Sequence, residues 1–75
     1  MAVTSEMVVF LPFAPDAPPL ETARALVDAL HVARADVGED LLTGAVTVRT
    51  TYSPDLWHTA QTFLAECGVP YEITF

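Results

Sequence analysis

The sequence predicts a small two-layer α+β sandwich, and three observations carry that expectation. Met7-Val8-Val9-Phe10-Leu11-Pro12-Phe13 is a run of seven residues with no polar side chain. It does not alternate, so both of its faces call for cover, as in a central strand. Residues 20–33 and 56–67 each repeat apolar side chains at spacings of three and four, the mark of a helix with one buried stripe. Residues 45–51 and 69–75 alternate apolar and polar side chains, the mark of a strand with one buried face.

In chain order, residues 1–5 are a lead-in, and Thr4 or Glu6 begins the first strand. Pro12 keeps the apolar run from being helical and ends the strand. Ala14-Pro15-Asp16-Ala17-Pro18-Pro19 follows as a stiff strand-to-helix link, since each proline fixes its own φ and extends the residue before it. Read otherwise, the link is a ligand for an aromatic groove, but its brevity between two apolar elements favours the structural role. Pro19 suits the first turn of a helix. Leu20, Ala23, Leu26, Val27, Leu30 and Ala33 form its buried stripe, with Glu21, Arg24, Asp28 and His31 opposite. Arg24 has Glu21 and Asp28 within helical pairing distance. Glu21 in the first turn and Arg34 in the last suit the helix dipole, and the helix is expected to fade over residues 36–38.

Residues 37–44 are the least patterned stretch. Gly38-Glu39-Asp40 has turn composition, Leu41-Leu42 suits a short edge strand, and Thr43-Gly44 turns into the next element; otherwise the piece is a loop. In residues 45–51, Val46 and Val48 alternate with Thr47, Arg49 and Thr51. Ser53-Pro54-Asp55 is a strong helix start: a serine N-cap, a proline at N1 and an acid at the positive end of the dipole. Tyr52 and Trp57 have the spacing of a hydrophobic staple. Leu56, Ala60, Phe63, Leu64 and Cys67 form the apolar stripe of this helix, against Asp55, Thr59, Thr62 and Glu66. Gly68 ends it. Val69, Tyr71, Ile73 and Phe75 then alternate with Pro70, Glu72 and Thr74 as a last, edge strand.

With the short strand counted, the order is the split β-α-β-β-α-β arrangement called ferredoxin-like, with the first and third strands central and both helices on one face. Without it the chain is a three-stranded β-α-β-α-β unit. Either way the chain forms a single domain of 75 residues, and no helix of its own covers the second sheet face. The surplus apolar surface, 52% of residues being hydrophobic, makes self-association an expectation.

Ten acids face three arginines and no lysine, for a net charge of -7. Such a field repels phosphate and disfavours direct binding to nucleic acid or anionic lipid, while it attracts a basic surface. The same acidity also keeps an apolar small protein in solution. One cysteine forms no internal disulfide, and the short N-terminal apolar run lacks a preceding basic region. The expectation is a cytoplasmic protein without signal peptide or membrane span.

No constellation for catalysis emerges. Cys67 and His58 lie on nearly opposite sides of one helix, and Cys67 reads as a buried structural thiol. His31 and His58 fall on exposed helix faces, and no cofactor or metal is expected from two histidines and a cysteine without ligand spacing. Asp36, Glu39 and Asp40 lack the spacing of a calcium loop. There is no glycine-rich phosphate loop. The open sheet face lacks the basic residues of an RNA-binding sheet.

The function expected is therefore a non-enzymatic interaction protein that binds a basic, nucleic-acid-binding protein partner, with spaced carboxylates imitating phosphates. Small phage-encoded inhibitors, anti-CRISPR proteins among them, act in this way, and the likeness to them is one of size and charge. The candidate contact residues are Glu21, Asp28, Asp36, Glu39 and Asp40, with Asp55, Glu66 and Glu72 as a second group. The alternative is a homodimeric regulatory or small-ligand-binding domain assembled through the open sheet face, with Tyr52, Trp57 and the proline-rich link lining a pocket. A structural module of a larger assembly is a third reading, without a specific sign in the sequence.

Overall fold

The computed structural model describes residues 5–74. Along them run β1 (Glu6–Leu11), α1 (Pro19–Leu30), β2 (Asp36–Glu39), β3 (Val46–Thr51), α2 (Pro54–Cys67) and β4 (Glu72–Thr74). The four strands form one sheet in the order β2-β3-β1-β4, and every neighbouring pair is antiparallel. The domain is α+β and ferredoxin-like in its element order. β1 and β3 occupy the centre, as the apolar first strand predicts.

Alternate residues of the two central strands set the two layers. Met7, Val9 and Leu11 of β1 and Val46 and Val48 of β3 are buried against Ala23, Leu26 and Leu30 of α1 and Ala60 and Leu64 of α2. Both helices therefore cover one face. Full burial of a leucine-sized side chain is worth about 1.5–3 kcal/mol, so this single interface carries most of the stabilisation. Leu20, Val27, Leu56, Trp57, Phe63, Val69, Tyr71 and Ile73 pack around its margin. Thr50 is the one polar residue buried within it among those described, and its hydroxyl donates to the Arg34 carbonyl at 2.9 Å.

The helix ends follow the expected chemistry unequally. Ser53 caps α2, accepting the Leu56 amide on Oγ at 3.1 Å, with Pro54 following at N1; Gly68 closes the helix at φ 70°. The N-cap of α1 is Pro18, which offers no side-chain acceptor. Its C-cap is His31 at φ 53°, a left-handed conformation that costs a non-glycine residue free energy.

Four expectations need correction. α1 stops at Leu30, so Ala33 and Arg34 lie beyond it and Arg34 does not complement its dipole; the left-handed His31 turns the chain out of the helix axis. Gly38 and Glu39 are not a turn but part of β2, because Asp36 to Glu39 pair with Val46 to Arg49. Leu41 and Leu42 are not an edge strand but the tip of the β2–β3 loop. Cys67 is exposed, not a buried thiol; as the last residue of α2 it lies past the part of the stripe that Ala60 and Leu64 bury. Thr4 and Phe75, expected in the first and last strands, lie outside the described residues.

Candidate interaction surface

Directly opposed residues in an antiparallel sheet share a face, so the strand registers define the open face. Asp36, Arg49, Val8 and Thr74 form one row across all four strands, and Gly38, Thr47, Phe10 and Glu72 form the next. Glu6 and Thr51 begin a third. Val8 and Phe10 are the apolar side chains of these rows; Val8 is half-buried and Phe10 is 41% exposed. The apolar run of β1 thus meets a mostly polar surround on this side, contributed by β3, β2 and β4. Glu6 pairs with Arg49 diagonally across the face at 3.7 Å, with both side chains more than half exposed. Exposed pairs of this kind contribute little to stability.

The two predicted acidic groups do not assemble on one surface. Glu21 and Asp28 lie on the outside of α1, and Asp55 and Glu66 at the two ends of α2. Glu72 lies on the open face at the β4 edge, and Asp36 on the same face at the β2 edge. Asp36, Glu39 and Asp40 follow one another along β2 and into its turn, with Asp36 on the open face and Glu39 on the helix-side face. Sequence reasoning passed over Glu6, which the register of β1 against β3 sets beside Arg49. No Arg24 ion pair to Glu21 or Asp28 forms within 4 Å; among the described residues the Glu6–Arg49 contact is the one ion pair.

The β2–β3 loop is firmly built. The Asp40 carboxylate accepts the amides of Leu42 at 2.9 Å and Thr43 at 3.3 Å. The Asp40 carbonyl accepts the Gly44 amide at 2.7 Å, and the Asp40 amide donates to the Ala45 carbonyl at 2.8 Å. The Leu42 amide first, and then Thr43, hold the Asp40 carboxyl below the ordinary aspartate pKa. Gly44 takes φ 75° with Phe13 against it, and a Cβ there would lie 2.9 Å from the Phe13 ring. The loop thereby presents Leu41 and Leu42, 87% and 97% exposed, beside the acids of β2. Two adjacent, almost fully exposed leucines on a fixed turn were not foreseen; the signal for them was the Asp40 and Gly44 spacing of a capped turn.

Two grooves border β2. One, of about 340 Å³, is lined by Arg34, Arg49, Glu6 and Asp36 together with Thr50 and Thr51, so two of the chain's three arginines share it with two acids. The other, of about 380 Å³, runs along β2 over Gly38 between Asp36, Thr47 and Arg49. Tyr52 and the proline-rich link do not meet in a pocket: the Tyr52 amide bonds Ser5 at the start of β1, whereas the link leaves its far end. His31 and His58 are exposed. Among the described residues no group of three metal-ligating side chains converges, and no helix is long and apolar enough to cross a membrane. Neither protein-family models nor curated protein sequences give a match to this chain.

Proposed function

We propose that this chain is a non-enzymatic interaction protein that binds the basic surface of a nucleic-acid-binding protein and can inhibit it by occupying the phosphate path. The observation that carries the reading is that all ten side-chain carboxylates are exposed, while the described residues contain a single ion pair. The charge of -7 is therefore left for a partner. Such a field steers a basic surface into encounter and fixes specificity and association rate more than raw affinity. The distribution of carboxylates over α1, α2, the β2 edge and the open sheet face suits a partner that meets charge from several directions, as a cleft built for a nucleic acid does.

The test is capture of partners from the source cells on immobilised protein, followed by affinity measurements on the recovered partner across ionic strength. The expected result is a nucleic-acid-binding protein whose affinity falls more than about tenfold between low and high salt and which a nucleic acid displaces. A partner held equally well at high salt, or one indifferent to competing nucleic acid, overturns the reading.

A further inference from the structure

We infer that the outer edge of β2 is a strand-addition site for an extended basic segment, which docks as a fifth strand of the sheet. The inference rests on the reading of a basic partner and says where and in what conformation part of it binds. β2 lies at the sheet edge, paired among the described residues only with β3, and all four of its residues are exposed. The hydrogen-bond phase follows from the turn. Asp40 is opposite Ala45 in the register and donates to it, so by the period of two Gly38 and Asp36 also bond inward to β3. The other ladder agrees: the Tyr52 amide bonds Ser5, which directs Val46, Val48 and Thr50 to β1 and leaves Thr47 and Arg49 for β2. The amides and carbonyls of Val37 and Glu39 accordingly point away from the sheet.

This edge lacks several of the devices that blunt exposed edges. It has no proline, lysine or bulge, whereas β4 at the opposite edge is three residues long and follows Pro70. Its charge selects the occupant. A second copy pairing antiparallel with Val37 opposite Glu39 sets Asp36 against Asp40 of that copy, a like-charge contact. A segment with cationic side chains at alternate positions instead sets them on the open face toward Asp36, with its remaining side chains beside Val37 and Glu39 on the other face. On the open face Gly38 has no side chain, and a Cβ there meets nothing within 4 Å. The groove over Gly38 leaves room for a long cationic side chain lying toward Asp36. Leu41 and Leu42 stand at the end of the same edge as an apolar contact.

The experiment is an amide-resolved NMR titration of the whole chain with two probes. One is a short peptide alternating lysine and valine; the other is the same peptide with every backbone amide N-methylated, which keeps its charge but has no N–H to donate. The expected result is that the first peptide shifts and protects the Val37 and Glu39 amides from exchange, and that the second binds about tenfold or more weakly. Val37→Pro removes an outward N–H without touching the β3 ladder and reproduces that loss, whereas Val37→Thr, which keeps that N–H, does not. Equal binding of both peptides, or shifts centred away from β2, overturns strand addition while leaving the acidic-surface reading standing. Failure of both peptides and of polylysine to bind at low salt overturns both.

Discussion

Leu26 and Leu64 have no exposed surface, whereas Leu41 and Leu42 are almost entirely in water. All four are leucines in capped segments, so hydropathy alone does not separate them. Leu26 and Leu64 recur with other apolar residues at helical spacing, and the helices that carry them lie on Met7, Val9 and Val48. Leu41 and Leu42 follow Asp40, whose carboxylate gathers the next amides into a turn that no other element covers. The first pair stabilises the domain; the second is apolar surface on a turn built by the Asp40 hydrogen bonds.

The largest expected effect tests that division directly. Leu64→Ala or Leu26→Ala should destabilise the domain by about 2–5 kcal/mol, a large share of what a domain of this size holds. Leu41→Ala or Leu42→Ala should change stability by no more than about 0.5 kcal/mol. Urea unfolding followed by Trp57 fluorescence measures both. A loss at Leu41 comparable to that at Leu64 would mean that the tip packs on the body of the domain.

The same contrast explains how far the sequence could be read. The helical stripes, the alternation of β3 and Ser53-Pro54-Asp55 as a helix start are local signals, and the structure follows them; the last strand, expected from residue 69, pairs only over Glu72–Thr74. The fold class and the central place of β1 were legible for that reason. β2 was not, because Asp36-Val37-Gly38-Glu39 has poor strand composition and becomes a strand through its pairing with β3. The end of α1 was missed because a left-handed histidine gives no glycine signal. The acids were legible as a list and not as a surface, since their faces depend on how the helices and edges are placed.

The caps that carry the leucines give the middle-sized effects. Ser53→Ala removes the acceptor of the Leu56 amide and should cost about 1 kcal/mol, lowering the melting temperature because α2 brings Leu64 to the core. His31→Gly relieves the left-handed strain at the end of the helix that carries Leu26 and should stabilise by about 0.5–1 kcal/mol. A neutral or destabilising His31→Gly would show that the imidazole makes a compensating contact. Neither substitution should alter the amide spectrum of the β2–β3 turn.

The smallest effect is local and depends on pH. The Leu42 and Thr43 amides hold the Asp40 carboxyl below its ordinary pKa, so its ionised form is favoured in the folded turn. Its contribution to stability is whole above the unfolded-state value, about 3.9 for an aspartate, and is lost as pH falls through the lower folded-state value. Acid titration by NMR should therefore move the Leu42 and Thr43 amides together, with a midpoint below that of an unstructured aspartate. Met7, Val9 and Leu64 should report no change in the same range until the domain unfolds as a whole. A midpoint above the ordinary value would mean that the carboxylate does not cap the turn in solution, and that Leu41 and Leu42 are not held as a pair for a partner.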